Sequence, residues 1–147
     1  MHKDAEELTL RSVEHMRPRS GLSVPIVTVL DDEGSLIESD QRAVVRYVIQ
    51  DGYGADVIFS AGTTGEWDRV SNRTRQQVIR VCAEEVERQN RALSGKLPRP
   101  VESWAGVTAH TPEETLENLE FSVNCGVDAA VLAPLSIPGI DDPGRFV

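Results

Sequence analysis

Two threonines stand between two glycines in residues 62–66, which read GTTGE and follow an apolar run. Gly62 and Gly65 would allow the backbone to turn tightly and to approach a ligand closely. Thr63 and Thr64 would add two hydroxyls to exposed backbone N–H groups. Such a loop is suited to a small anion, either a carboxylate or a phosphate. The sequence contains neither GxxxxGK(S/T) nor GxGxxG, the glycine-rich nucleotide motifs. The alternative interpretation is a tight strand-to-helix turn whose threonines cap backbone groups.

Polar residues near the ends of other predicted strands are weaker candidates. Thr108 and His110 follow the third predicted strand, and Ser136 follows the fourth, in the segment APLSIPG. A lone histidine beside a helix N-terminus is a candidate base, but we expect His110 to be a hydrogen-bonding loop residue. We expect Glu66 to fix the loop by capping it rather than to act as an acid or a base.

Composition and charge restrict the class of partner. The chain has 147 residues, enough for one domain, and a formal net charge of -9 with its basic residues scattered, so we expect no nucleic-acid partner. No apolar run reaches the ~20 residues of a membrane helix. The first 20 residues contain acids, unlike a signal or transit peptide. We therefore expect a cytoplasmic protein without membrane contact, with a polar extension at residues 1–20 and one domain at 21–147.

Cysteine and histidine spacing argues against a metal site. Cys82 and Cys125 lie in helix-like segments without a CxxC pattern, and the three histidines are dispersed along the chain. We expect both cysteines to be reduced thiols in the core, and we expect no structural zinc.

Strand and helix signals alternate along the chain. Short apolar, β-branched runs predict strands at residues 23–30, 55–62, 100–108 and 128–134. Helical periodicity with terminal signals predicts helices at residues 39–52, 71–95 and 111–126. Repeated β-α units indicate a parallel sheet covered by helices. Both a doubly wound open sheet and the first half of a (β/α)8 barrel fit, and periodicity does not choose between them.

Capping signals and apolar stripes predict how the helices begin and pack. Ser39 is a plausible N-cap of the first helix, and Thr111 an N-cap of the third, followed by Pro112 at the first helical position. The first two helices carry apolar stripes that we expect to be buried, at Val44, Val45, Val48 and Ile49 and at Val78, Val81, Cys82 and Val86. The third should bury Leu116, Leu119 and Val123.

Three stretches of the sequence resemble the dihydrodipicolinate synthase and N-acetylneuraminate lyase family. They are SVPIVTVLDDEGSLIESD at residues 23–40, GTTGEWDRVSNRTR at 62–75 and WAGVTAHTPEETLENLEFSVNCGVDAAVLAPLS at 104–136. Their order and spacing match the family, so the resemblance covers roughly residues 21–136. It implies a (β/α)8 TIM barrel, of which the chain would hold about the first four β-α units.

The resemblance also implies a chemistry. Members are class I aldolases, in which a lysine forms a Schiff base with pyruvate or another 2-oxo acid and no added cofactor is needed. The GTTGE loop of the family receives the carboxylate of the 2-oxo acid. In this chain that role would fall to Thr63 and Thr64, flanked by Gly62 and Gly65, with Thr63 also acting as a proton-relay hydroxyl.

The sequence departs from the family at two places in the implied site. Where the fourth strand of the family ends in Pro-Tyr-Tyr, this chain has Pro134, Leu135 and Ser136. The serine hydroxyl is shorter than a phenol and its pKa is less suited to proton transfer. The Schiff-base lysine of the family lies on the sixth strand, beyond residue 147, whereas the lysines here are Lys3 and Lys96, in the polar extension and a linker.

Two hypotheses follow from the half-barrel that the resemblance implies. The first is a fragment of an aldolase-like lyase that keeps the carboxylate loop but cannot form the Schiff base alone. The second is a non-catalytic protein that binds a small carboxylate and in which two copies complete an eight-stranded barrel. Open strand edges favour association, so we expect a homo-oligomer.

Overall fold

Four short strands form one parallel sheet in the computed structural model, which describes residues 20–133. Numbered in chain order, they are β1 Ser23–Pro25, β2 Val57–Ser60, β3 Glu102–Gly106 and β4 Ala129–Val131. Each strand pairs with the next strand of the chain, and Trp104 of β3 is in register with Phe59 of β2 and Ala129 of β4. All four predicted strands are present, and each is shorter than predicted.

Three α-helices connect these strands: α1 Glu38–Ile49, α2 Asn72–Ala92 and α3 Pro112–Asn124. A right-handed crossover between parallel neighbours places its helix on a fixed face of the sheet. Because the strand order β1-β2-β3-β4 advances without reversal, the three helices lie on the same face, as in a barrel. A doubly wound sheet reverses its order. The strand order therefore favours the (β/α)8 architecture over the open sheet.

The start of α3 agrees with its predicted capping signal, whereas the start of α1 does not. Thr111 Oγ1 accepts a hydrogen bond from Glu114 N at 3.1 Å, with Pro112 in the first turn, so the predicted cap is confirmed. The prediction for Ser39 is wrong, because α1 begins at Glu38 and its N-cap is Ile37. The Ile37 N–H donates to Val29 O and its carbonyl accepts from Gln41 N, both at 2.9 Å. These bonds fix the chain before Ser39 is reached.

The core lies between the sheet and the first two helices. Ile58 of β2, Val45 and Ile49 of α1, and Val78 and Cys82 of α2 belong to one buried cluster. Burying a side chain of this size stabilises the fold by about 1.5–3 kcal/mol. The apolar stripes predicted for the first two helices are confirmed, with Val44 and Val48 packed at the edge of the cluster.

A buried glutamine ends the first strand earlier than predicted. Gln41, fully buried on α1, accepts from Val29 N at 2.9 Å through Oε1 and donates to Val27 O at 3.0 Å through Nε2. These two bonds replace strand pairing for residues 27–29, because a side-chain amide offers the same donor and acceptor as a backbone peptide. The chain then turns at Asp31, whose Oδ1 accepts from Glu33 N and Ser35 N.

The third helix buries a different face from the predicted one. Its buried residues are Thr115, Asn118 and Ser122. The expected core residues are exposed by 61% at Leu116, 39% at Leu119 and 66% at Val123. The reason is hydrogen bonding. Gln76 Nε2 of α2 donates to Asn118 Oδ1 at 3.2 Å, and Ala109 N donates to Thr115 Oγ1 at 3.1 Å. Satisfied polar side chains therefore face the protein, and the apolar stripe faces outward.

An ion-pair cluster joins α1 to α2 around one buried carboxylate. Glu85 is fully buried and accepts hydrogen bonds from Arg88 at 2.6 Å, Gln89 at 2.9 Å and Arg46 at 3.2 Å, with Arg42 at 3.8 Å. Burial disfavours the charged form, but the hydrogen bonds from Arg88, Gln89 and Arg46 outweigh it and lower the pKa of Glu85. The carboxylate therefore stays ionised in the interface between the two helices.

Candidate functional site

The GTTGE loop leaves the carboxyl end of β2 as one tight turn. Residues Thr63–Gly65 form a single 3-10 turn, in which Gly65 N donates to Gly62 O and Glu66 N to Thr63 O, both at 3.0 Å. A third hydrogen bond comes from Thr28, three residues after β1, whose Oγ1 donates to Gly65 O at 2.7 Å. The carboxyl ends of parallel strands are where α/β barrels bind their ligands. The loop is thus held in the place that the strand order predicts for a site.

The two glycines serve close packing rather than a left-handed backbone. The positive φ angles of the turn lie at Ala61 (54°) and Glu66 (53°), on either side of the glycines. A Cβ on Gly62 would lie 2.8 Å from the Phe59 ring, and one on Gly65 would lie 3.2 Å from both Ile26 O and Thr28 Oγ1. The expected tight turn is present. Ala61 and Glu66 have the left-handed backbone conformation. This conformation costs non-glycine residues about 1 kcal/mol or more.

The hydroxyls of Thr63 and Thr64 do not cap the loop within the described residues. Both residues are exposed, and no hydrogen bond joins either hydroxyl to another residue within 20–133. The hydroxyl of a capping threonine would form a hydrogen bond with a nearby backbone group. Two adjacent hydroxyls therefore remain available at the strand end, where they can donate to the oxygens of a carboxylate.

Glu66 caps this loop through its backbone and not through its side chain. Its carboxylate pairs with Arg69 at 3.0 Å, and both side chains are largely exposed. The prediction that Glu66 fixes the loop by capping is confirmed for its backbone, which has the left-handed conformation of a C-cap. The backbone N–H of Glu66, not its side chain, closes the turn.

A buried arginine, Arg75, lies beside the loop and is not among the site residues predicted from the sequence. The Arg75 side chain is 1% exposed, and its Nη1 donates to Trp67 O at 2.6 Å. Its Nε donates to Asn72 Oδ1 at 3.2 Å, its Nη2 lies 3.4 Å from Glu114 Oε2, and its guanidinium carbon lies 5.9 Å from the Trp67 ring centroid. Burial lowers the pKa of Arg75, and the charge of Glu114 opposes this shift.

The helical period contains a signal for this arginine. Arg75 lies three and four residues before Val78 and Ile79, on the apolar face that α2 buries. A charged residue at that spacing must be buried with partners or break the pattern. The signal identifies a buried charge, whereas the partners Trp67 and Glu114 become visible only in the fold.

His110 connects the loops that follow β2 and β3. Its Nε2 lies 3.1 Å from Asp68 O, and its ring centroid is 5.4 Å from that of Trp67. The prediction of a loop hydrogen bond for His110 is confirmed. Thr108, the other candidate near the end of β3, is buried and accepts a hydrogen bond from Ala133 N at 2.8 Å. Ser136 lies outside the described residues, so its place in the site stays a prediction.

The tyrosine and the lysine that lie between the predicted elements, Tyr53 and Lys96, are remote from the loop. Tyr53 precedes β2 and Lys96 precedes β3 in the chain, at the end of the sheet opposite the GTTGE loop, and both are exposed.

Cys82 is buried in the core, as predicted, whereas Cys125 is only half-buried at the end of α3. Within residues 20–133, no three His, Cys, Asp or Glu side chains are grouped for a metal ion, and no helix is long and apolar enough to cross a membrane.

A separate apolar cleft of about 300 Å³ lies between α3 and β4. Its wall contains Val107, Pro112, Thr115, Leu116, Leu119, Ala130 and Leu132. The cleft includes no residue of the GTTGE loop. It lies on the helix-bearing face of the sheet, where the outward apolar stripe of α3 meets the last described strand. Its walls are suited to apolar side chains rather than to an anion.

Comparison with known sequences agrees with this geometry. A family model described as the dihydrodipicolinate synthetase family matches residues 18–95. A 4-hydroxy-tetrahydrodipicolinate synthase of Syntrophotalea carbinolica is 29% identical over 113 residues, which cover 77% of this chain and 34% of that relative. The corresponding enzyme of Methylibium petroleiphilum is 28% identical over 116 residues, covering 79% and 35%. The chain therefore spans about a third of the length of these relatives.

Solved structures share the fold of the described residues. A 2-keto 3-deoxygluconate aldolase from Picrophilus torridus matches with a TM-score of 0.63 at 25% identity, over 80% of this chain and 37% of that one. A prophage protein of the dihydrodipicolinic acid synthase family from E. coli K12, solved with pyruvate, matches with a TM-score of 0.66 at 22% identity, over 79% and 35%. Such relatives are TIM barrels, so the four-stranded sheet is a partial barrel. The predicted family and fold are confirmed, and the chain belongs to the dihydrodipicolinate synthetase family of aldolases and lyases.

Proposed function

We propose that this chain is the carboxylate-binding part of a class I aldolase-like lyase that acts on pyruvate or a related 2-oxo acid. The observation that carries the proposal is the pair of exposed hydroxyls at Thr63 and Thr64, which have no hydrogen-bond partner within residues 20–133. They lie at the carboxyl end of β2, where barrels bind ligands. A pyruvate complex of a protein with the same fold supports the choice of ligand.

In this proposal the two threonines and their flanking glycines have distinct roles. Thr63 and Thr64 donate hydrogen bonds to the carboxylate oxygens, and charge-assisted bonds of this kind are stronger than neutral ones. Gly62 lets the turn pack against the Phe59 ring, and Gly65 lets it pack against Ile26 and Thr28. Thr63 is also the proposed relay hydroxyl, and Ser136 takes the position of the relay tyrosine of the family with a shorter, less acidic group.

The binding claim is tested by NMR titration of the 15N-labelled chain with pyruvate. We expect saturable shifts of the amide signals of residues 62–66. Replacing Thr63 and Thr64 together by valine should abolish them, because valine keeps the shape and removes both hydroxyls. Ser94→Ala, at an exposed hydroxyl far along the chain, should leave the titration unchanged. Saturable binding with equal affinity in the double variant would overturn the proposal.

A second experiment tests whether this chain forms the Schiff base. Lys96, at the opposite end of the sheet, is not a suitable nucleophile for a ligand at the GTTGE loop, and Lys3 lies outside the described residues. We therefore expect no borohydride-stabilised pyruvate adduct by intact-mass spectrometry. A stoichiometric adduct on either lysine would show that the 147-residue chain contains its own nucleophile.

The outward apolar face of α3 favours a second candidate, a non-catalytic dimer that binds a small carboxylate. Leu116 and Val123 are both exposed, and Leu116 also lines the apolar cleft between α3 and β4, the last strand of the described sheet. Two copies could cover these surfaces and complete an eight-stranded barrel. Sedimentation equilibrium should then show a dimer that Leu116→Lys weakens and that Tyr53→Lys, at an exposed aromatic elsewhere, does not. A folded wild-type monomer would exclude this candidate.

A further inference from the structure

We propose that Arg75 is a positioning residue that holds the GTTGE loop in the shape that binds a carboxylate. The inference rests on the carboxylate site proposed above and adds to it a residue that does not contact the ligand. Arg75 lies on the buried face of α2 in its first turn, and the loop ends one residue before Trp67, to which Arg75 binds.

The contacts of Arg75 reach three separate elements. Nη1 donates to the carbonyl of Trp67, directly after the loop, and the guanidinium lies over the Trp67 ring at 5.9 Å. Nε donates to Asn72 in the first turn of its own helix, and Nη2 pairs with Glu114 in the first turn of α3. One side chain thus fixes the end of the loop relative to two helix starts.

An arginine is suited to this task and a lysine is not. The guanidinium offers five donors in a fixed plane, so it can bind a carbonyl, an amide and a carboxylate in different directions while it stacks on an aromatic ring. An ammonium is a compact point charge that cannot reproduce this arrangement. Because Arg75 is 1% exposed, water cannot replace a lost contact without opening the loop.

The GTTGE loop is also anchored by Thr28, which follows β1, and by β3, whereas the segment that follows the loop is held by Arg75 and His110. Thr28 Oγ1 holds Gly65 O at 2.7 Å, and the backbone near Ala61 packs against Gly106 of β3. These contacts fix the start and middle of the turn. After Glu66, the chain is held at Trp67. The Trp67 side chain is buried, its carbonyl accepts a hydrogen bond from Arg75, and its ring contacts the His110 ring. Loss of Arg75 would release the turn on this side and displace both hydroxyls.

The test compares Arg75→Met, Arg75→Lys and the matched control Arg73→Met in the 147-residue chain. Arg73 is exposed on the same turn of α2. Pyruvate affinity is measured by NMR titration, and amide hydrogen exchange is measured at Gly65 and Glu66. We expect both Arg75 variants to weaken pyruvate binding by about tenfold or more and to speed exchange at these two amides, because small displacements of binding groups have large effects. Exchange in the α1–α2 core should not change. Arg73→Met should match wild type.

The outcomes separate this inference from the proposed function. If wild type binds no pyruvate, the proposed function fails, and the exchange rates still decide whether Arg75 holds the loop. If wild type binds pyruvate and Arg75→Met binds equally well with unchanged exchange, only the role of Arg75 is overturned. Restored affinity in Arg75→Lys would show that charge alone suffices and would also overturn it. Should Arg75→Met fail to fold, Glu114→Gln replaces it, with a few-fold loss of affinity expected and unchanged affinity contradicting the proposal.

Discussion

Gly106 of β3 lies so close to the end of β2 that a Cβ on it would stand 2.3 Å from the carbonyl oxygen of Ala61. The same Cβ would lie 2.8 Å from the Ala61 carbonyl carbon and 3.2 Å from Gly62 N. These are backbone atoms, which cannot rotate away as a side chain can. The third strand therefore supports the start of the GTTGE loop by direct backbone contact, and only glycine leaves room for it.

Gly106→Ala should consequently displace the loop as well as destabilise the fold. Overpacking by one methyl group against backbone costs typically 1–3 kcal/mol. We expect a loss of about 2 kcal/mol in the free energy of unfolding, together with shifted amide signals at Thr63 and Thr64. Urea unfolding and NMR spectra of the variant measure the two effects.

Gly95→Ala provides the control, since nothing lies within 4 Å of a Cβ at Gly95, whose φ is +81°. The left-handed backbone alone should cost about 1–2 kcal/mol. The loop signals should remain in place, because Gly95 lies at the opposite end of the sheet. Unshifted Thr63 and Thr64 signals in Gly106→Ala would show that the contact does not position the loop.

Local signals in the sequence predicted those features that local interactions determine. The Thr111 cap with Pro112 marks the start of α3 because its hydrogen bond joins residues three apart. The stripes of the first two helices are buried as their spacing predicts. The length of β1 could not be predicted in the same way, because Gln41, twelve residues after Val29, replaces its strand partner.

The candidate site was predictable in its position and only partly in its construction. The GTTGE segment identifies the loop, and the strand order places it at the ligand-binding end. The contact between Arg75 and Trp67 depends on how α2 packs beside the loop. The ion pair between Arg75 and Glu114 depends also on how α3 packs against α2. A one-dimensional pattern records that Arg75 is buried but not what satisfies its charge.

Glu85→Gln should reduce the stability of the fold and its dependence on pH. The folded-state pKa of Glu85 is lowered, so its ionised form contributes stability above the unfolded pKa of about 4.3. That contribution is lost as pH falls below this value toward the folded pKa. Because the partner arginines are partly exposed and can be solvated when unpaired, we expect a loss of about 1–2 kcal/mol at pH 7, less than for a fully buried pair.

The measurement is urea unfolding of wild type and variant at pH 7 and at several values below pH 5. The variant should lose less stability than wild type on acidification, since its amide does not titrate. Glu87→Gln serves as the control, because Glu87 pairs with Arg91 at 3.1 Å where both side chains are largely exposed, and such pairs contribute about 0–1 kcal/mol. Parallel acid profiles for wild type and Glu85→Gln would contradict this account.

The two cysteines should differ in reactivity. Burial raises the pKa of Cys82 to about 12, against weaker opposing effects of Gln41 and Arg42, and reaction requires an accessible thiolate. Cys125 is only half-buried, with a pKa that is raised by burial. In iodoacetamide labelling at pH 8 followed by peptide mass spectrometry, Cys125 should react in the native protein and Cys82 only after unfolding. Labelling of Cys82 at the rate of Cys125 under native conditions would mean that the core opens readily.

Because α3 buries polar residues and exposes its leucines, we expect mutation of a polar residue to destabilise the fold more than mutation of a leucine. Asn118 is fully buried, accepts from Gln76 Nε2 and donates weakly to Val107 O at 3.4 Å. Asn118→Ala should therefore destabilise the fold by about 1–3 kcal/mol, because it leaves these groups without a partner. Leu116→Asn, at a position that is 61% exposed, should change the free energy of unfolding by no more than about 0.5 kcal/mol. Urea unfolding at protein concentrations too low for association compares the two. If Leu116→Asn is the more destabilising change, the helix packs through its apolar stripe as the sequence pattern alone predicts, and the polar contacts of Asn118 and Thr115 do not hold it.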